Sequence, residues 1–367
     1  MTVKRHDELI VFTDWFKTRT DPLAQRLTFT HVYAPTLMLK TVLMAACGAA
    51  LCGSLTPPRA VPYYGARFEP RRQILHGAGQ STAADFRSYA NTLRATTKPI
   101  LYMDYAGVRE KGLGTQLRAI LAKCQQFDWY VIPQIGLSMT NDGKPEQHYE
   151  QAVATGQYDA ALDTLAQVLK RYDRPVYLRI GYEFNGSWNG YQPDTYRQAF
   201  RRVREKLDAG GVSNVATVWC FGPTADDETY LNFYPGDDVV DWWGIDVFTK
   251  ESLNYAATHR FIDEAAKHRK PVMIGESTPK YVGVHDGEAS WQAWFKPYFA
   301  LLDQHTNIKA FCYINWNWAN FDYWKDWGDG RIGSNEYVRT QYQKAIEHPR
   351  VAHGGSRAST LRLLTAQ

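Results

Sequence analysis

Two stretches of this chain each end a short apolar run in a glutamate. Residues 179–191 (RIGYEFNGSWNGY) present Glu183 ahead of a polar and aromatic loop, and residues 270–279 (KPVMIGESTP) present Glu276. A pair of carboxylates, one protonated and one ionised, is the minimal equipment for cutting a glycosidic bond. One group protonates the leaving oxygen while the other attacks the anomeric carbon. Tryptophans such as Trp188 suit the same chemistry, because the apolar face of a pyranose packs on an indole.

Glutamates this far apart in sequence need a frame that brings strand ends together. From residue 72 onward, apolar strand-like runs at 73–76, 99–104, 129–135, 175–183, 214–220, 239–248, 271–276 and 308–316 alternate with helix-like segments. The runs are continuous rather than alternating, as expected of strands covered on both faces. Amphipathic segments fall at 158–172, 195–209, 254–268, 289–305 and 335–347, with Gly210-Gly211 closing one and Lys270-Pro271 opening a strand. Eight such units predict an α/β fold, a single (β/α)8 barrel. A doubly wound sheet is disfavoured, since the His76-Gly-Ala-Gly segment lacks the third glycine of a dinucleotide fingerprint. In a barrel, Glu183 would end the fourth strand and Glu276 the seventh, facing each other across the mouth.

The remaining composition narrows the function class. Residues 61–348 carry 32 basic and 34 acidic side chains, so the body lacks the basic footprint of a nucleic-acid binder. The ten histidines show no HxH or HExxH spacing, and no metal or other cofactor is expected. Cys124, Cys220 and Cys312 lack CxxC spacing and are expected to be inert core residues. Residues 1–60 are an extension whose uncharged run at 41–54 has the length of a signal h-region and is too short to span a bilayer. The chain is therefore expected to be exported, with Met38 as a candidate start and any membrane contact confined to that run. Residues 349–367, with three arginines and no acid, are expected to form a disordered basic tail. The sequence assigns no oligomeric state.

The segment from Glu183 to Trp188 (EFNGSW) resembles the Glu-Met-Asn-Gly-x-Trp motif of glycoside hydrolase family 26, the mannanase-type retaining (β/α)8 hydrolases. Residues 234–246 (YPGDDVVDWWGID), 216–223 (ATVWCFGP) and 271–276 (PVMIGE) are similar to its sixth, fifth and seventh strands. The resemblance implies that Glu183 is the acid/base and Glu276 the nucleophile. It also implies a polysaccharide substrate, β-1,4-mannan or a related β-glycan, with a sister β-glucan or xylan activity or a non-catalytic sugar-binding barrel as alternatives. Two positions depart from the family: Tyr182 stands where it has His, and Phe248 where it has a Tyr that donates to the nucleophile. Tyr182 is the candidate replacement donor.

Around the two glutamates, Arg179 is expected to keep the nucleophile ionised. Phe184, Trp188 and Trp219 are expected to favour the protonated acid. Trp188, Trp219, Arg179, Tyr182, Asn185, Asp246, Phe248 and Trp316 complete the expected sugar-contacting set. Trp324 and Trp327 are further candidate cleft walls, and His76 and Asp104 weaker candidates.

Overall fold

The computed structural model describes residues 60–79, 82–109, 111–141, 144–225 and 227–365. The apolar run at 41–54 and the extension around it lie outside the described residues. Eight parallel strands close into a barrel: β1 (Ile74–Gly79), β2 (Leu101–Gly107), β3 (Ile132–Ser138), β4 (Val176–Ile180), β5 (Val215–Phe221), β6 (Trp242–Val247), β7 (Val272–Ser277) and β8 (Ile308–Ile314). Each pairs with the next, and β1 pairs with both β8 and β2. The expected (β/α)8 architecture is therefore present.

Every strand is buried along nearly its whole length, which is why its sequence reads as unbroken apolar residues. Inward side chains such as Leu75, Met103, Tyr177, Val218, Trp242 and Met273 fill the lumen. Outward ones such as Leu178, Trp219, Trp243 and Ile274 pack under the helices. The longer of two helices between β3 and β4, Asp159–Arg171, places Leu162, Leu165, Ala166 and Leu169 on the sheet. Its acid in the first turn and Lys170 and Arg171 in the last complement the helix dipole. The helix after β4, Pro193–Ala209, starts with proline at its first position, where no intrahelical N–H is lost.

The C-terminal segment corrects the expected disordered tail. Val351–Ala352 forms a ninth strand, β9, in parallel register with Ile74 and Leu75, and Arg357–Leu364 forms a helix capped by Ser356. Leu361, Leu363 and Leu364 pack on the lumen cluster. These leucines need cover, and the open lower end of the barrel supplies it; a basic composition says nothing of that fit. The chain just before β1 closes the same end. Trp242 Nε1 donates to Arg67 O, Tyr177 Oη to Phe68 O, and the buried Lys309 Nζ to Pro70 O and Arg71 O.

His76 belongs to this lower closure and not to a sugar site. Its ring lies against Phe311 and His353, and Nε2 donates to Lys98 O at 3.1 Å. Burial, reinforced by His353, pushes its pKa down to about 3. The unfolded chain therefore binds one more proton than the fold between about pH 6.5 and about pH 3. Stability contributed by neutral His76 is full above that window and lost as pH falls through it, at up to about 1.4 kcal/mol per pH unit. Urea denaturation at pH 7, 6, 5 and 4 should give a steeper acid loss for the native chain than for His76→Asn. Parallel curves would refute this account.

Candidate active site

Glu183 is aimed by an abnormal stretch of backbone. Strand β4 stops at Ile180, and Gly181 and Glu183 both take left-handed conformations, with φ of 54° and 49°. Glycine is required at 181, where a Cβ would stand 2.7 Å from Met139 and 2.8 Å from Tyr196. A glutamate in the same region costs about 1–2 kcal/mol, so the surroundings must hold it there. Phe184 N donates to Cys220 O at 3.2 Å, and Asn189 Nδ2 donates to Tyr182 O and Glu183 O at 3.0 and 2.9 Å. Trp188 Nε1 then donates to Glu183 Oε2 at 3.0 Å. Gly222, at the end of β5, leaves space that a Cβ would take from Glu183, at 3.2 Å.

Glu276 is turned by a register shift. Ile245 of β6 pairs with Ile274, but Asp246 pairs with Glu276, so Gly275 is an extra residue in β7. Met273 faces the lumen and Ile274 the helices. Plain alternation would send Glu276 outward; the bulge returns it to the lumen beside Asp246. Gly275 is needed there, because a Cβ would come within 2.7 Å of Asp246 Oδ1 and 2.8 Å of Arg179 Nη1.

Arg179, on the inner face of β4, joins the two acids. Its Nη1 donates to Asp246 Oδ2 at 2.8 Å and its Nη2 to Glu276 Oε1 at 2.7 Å, with all three side chains fully buried. The guanidinium lies over the Tyr182 ring at 4.8 Å and the Tyr105 ring at 5.8 Å. Burial opposes its charge, and the two carboxylates outweigh that and hold it firmly protonated. Burial pushes Asp246 well above the usual carboxylate range; the charges of Glu276 and Glu183 push the same way and Arg179 opposes them. Glu276 Oε2 is buried with no hydrogen-bond partner among the described residues. That oxygen is a lone acceptor beside a cation, the condition of a poised nucleophile.

A pocket of about 150 Å3 opens over this cluster. Glu183, Trp188, Asp246, Phe248 and Trp327 line it, and Glu276 lies outside its wall, fully buried. Thr249, Ser252, Tyr255 and Lys280 also line it and were not anticipated. They follow β6 and β7, so their positions on the loops of the catalytic face were the available signal. Lys280 Nζ stands 4.4 Å from the Trp327 ring centre and 4.8 Å from that of Tyr281.

Several expected contacts lie elsewhere. Trp219 is buried on the outer face of β5, stacked on Phe184 at 4.3 Å and against Trp243, so it buttresses the Glu183 loop from behind. Both it and Phe184 sit in the layer under the helices. Asn185 shapes the loop: it exchanges hydrogen bonds with the Gly222 backbone at 2.8 and 3.0 Å and donates to Asp227 at 2.8 Å. Trp316 is half-buried off the pocket, stacked on Phe321 at 5.2 Å. Trp324 packs edge-on to Trp318. Tyr182 is buried beneath the guanidinium of Arg179. Asp104 pairs with Lys123 at 3.1 Å on the outside of the barrel. Among the described residues no group of three or more His, Cys, Asp or Glu is arranged to hold a metal ion, and no helix is long and apolar enough to cross a membrane.

Residues 138–307, which run from the last residue of β3 to the residue before β8 and carry both glutamates, match the model of glycosyl hydrolase family 26. A β-1,3-xylanase of Vibrio sp., TXYA, is 33% identical over 77% of this chain and 66% of its own length. The chain belongs to glycosyl hydrolase family 26. It is a divergent member, as Tyr182 and Phe248 indicate. A β-1,3-xylanase of Alcaligenes sp. is 35% identical over 56% of this family 26 chain and 50% of that protein. A mannan endo-1,4-β-mannosidase of Bacillus subtilis is 27% identical over 40% and 48%. The chain thus spans half the length of the Alcaligenes relative and 66% of the Vibrio one. The family 26 β-mannanase BoMan26A of Bacteroides ovatus has the same fold, with a TM-score of 0.60 at 17% identity over 81% of this chain and 94% of that one.

Proposed function

We propose that this protein is a retaining glycoside hydrolase acting on a β-linked polysaccharide, with β-1,3-xylan as the preferred substrate. The observation that carries the reading is Arg179, which holds Glu276 and Asp246 together while Glu183 and Asp246 share the wall of one pocket. In the first step Glu276 Oε2 attacks the anomeric carbon as Glu183 gives its proton to the departing glycosidic oxygen, leaving a glycosyl ester on Glu276. In the second, Glu183 takes a proton from water, whose oxygen attacks the same carbon and releases Glu276. Two inversions give net retention. Substrate binding must uncover Glu276, which the pocket wall does not include.

The substrate preference moves from the β-1,4-mannan expected from sequence to β-1,3-xylan. The relatives named β-1,3-xylanase are 33–35% identical, against 27% for the mannan-cleaving one. Reducing-sugar release from β-1,3-xylan, β-1,4-xylan, β-1,4-mannan and mixed-linkage glucan tests the choice. Activity greatest on β-1,3-xylan supports it; preference for mannan restores the earlier expectation, and silence on every polymer points to a binding-only barrel. Export fits a polymeric substrate and rests on the run at 41–54. Terminal sequencing of protein recovered outside the cell tests it, and retention inside the cell would count against it.

A further inference from the structure

Asp246 has one oxygen on Arg179 and the other on a thiol. Cys220 Sγ lies 3.3 Å from Asp246 Oδ1, and Arg179 Nη1 approaches the same sulfur at 3.6 Å. Cys220 sits on the inner face of β5 and is fully buried. Opposite it on β6 is Gly244, where a Cβ would stand 3.0 Å from both the Cβ and the sulfur of Cys220. Gly244 thus leaves that space to the β5 side chains Val218 and Cys220, and of the two Cys220 is a hydrogen donor aimed at a carboxylate.

We infer that Cys220 is a positioning residue: its thiol hydrogen favours the ionised form of Asp246 and orients it, and so sets how Arg179 is divided between Asp246 and Glu276. The inference rests on the hydrolase reading for its kinetic consequence. Ionised Asp246 takes half of a guanidinium that would otherwise fall wholly on Glu276 and weaken it as a nucleophile. It also presents an acceptor on the pocket wall. A proton on Asp246 removes both effects. The charged and titratable groups around the thiol are Arg179 from β4, Asp246 from β6, Glu276 from β7 and Tyr196 from the helix after β4; Asp246 itself also feels Glu183, and Cys312 of β8 lies in its field. Burial and Asp246 push the thiol's own pKa well up, so it stays protonated and able to donate.

Cys220→Ala and Cys220→Ser both remove the sulfur and leave similar space, but only serine keeps a donor. The acid limb of kcat should move up by about one pH unit in Cys220→Ala, with kcat about tenfold lower on that limb and KM nearly unchanged. In Cys220→Ser the limb should stay in place. A second readout needs no turnover. Asp246 is already raised in the fold, so stability falls as pH rises through its folded pKa, and without the donor that fall should extend about one unit higher. Equal displacement of limb and stability curve in both variants, or none in Cys220→Ala, overturns the inference. A stability shift confined to Cys220→Ala in a chain that hydrolyses no polymer would uphold it while removing the hydrolase reading.

Discussion

Glu276→Ala is expected to lower kcat on β-1,3-xylan by at least about 10^4-fold, with KM little changed. The loss follows from geometry: among the described residues Glu276 Oε2 is a buried oxygen with no hydrogen-bond partner beside Arg179, and the other carboxylates of the site are committed differently. Asp246 is bonded to Arg179 and Cys220, and Glu183 to Trp188. Azide should restore turnover in the alanine variant by entering the space left by the carboxylate. It then attacks from the nucleophile's side once, so the glycosyl azide has inverted configuration. Glu183→Ala should instead keep the first step with an activated aryl leaving group, and azide should then give a product of retained configuration. Exchanged outcomes would reverse the two roles, and full activity in Glu276→Ala would remove the double-displacement mechanism.

Arg179→Met is expected to cost about 3–5 kcal/mol of stability and to abolish turnover. The substitution keeps much of the side-chain length and removes the charge. Asp246 and Glu276 would then face each other across the β6–β7 pairing with no cation between them. Two buried carboxylates so close cannot both ionise, so one takes up a proton and the nucleophile is lost or diluted. Acidification protonates the pair and removes the repulsion, so the stability deficit of Arg179→Met should shrink as pH falls. Arg179→Lys keeps a charge but not the fork that reaches two acids, and should fall between. Thermal denaturation at pH 4 and pH 7 beside kcat measures this; a deficit independent of pH would mean that packing, not charge, is what Arg179 supplies.

Legibility from sequence differed by level. The glutamate at each strand end, the eight units and the helix punctuation were readable because each is local: periodicity, proline, glycine and a polar residue after an apolar run. The strand ends were less so. The run at 239–248 begins three residues ahead of β6, since Val239 and Val240 are apolar for burial in the preceding turn rather than for the ladder. Trp219 was misplaced for a related reason. Both faces of a barrel strand are apolar, so alternation leaves no trace in the residue types and the face of a tryptophan is open.

What the chain's sequence alone determined was the kind of fold and where along it two strand-end glutamates stand, because burial on both sides of a strand and a carboxylate at its end are written in consecutive residues. Tertiary structure decided which way those acids point. Gly275 is one glycine among 27 until β6 pairs with β7 and makes it the extra residue that turns Glu276 inward. Arg179 likewise becomes a bridge only when β4, β6 and β7 converge, since its two partners lie 67 and 97 residues away. The parity of a side chain depends on register, and register is a property of two strands together, never of one.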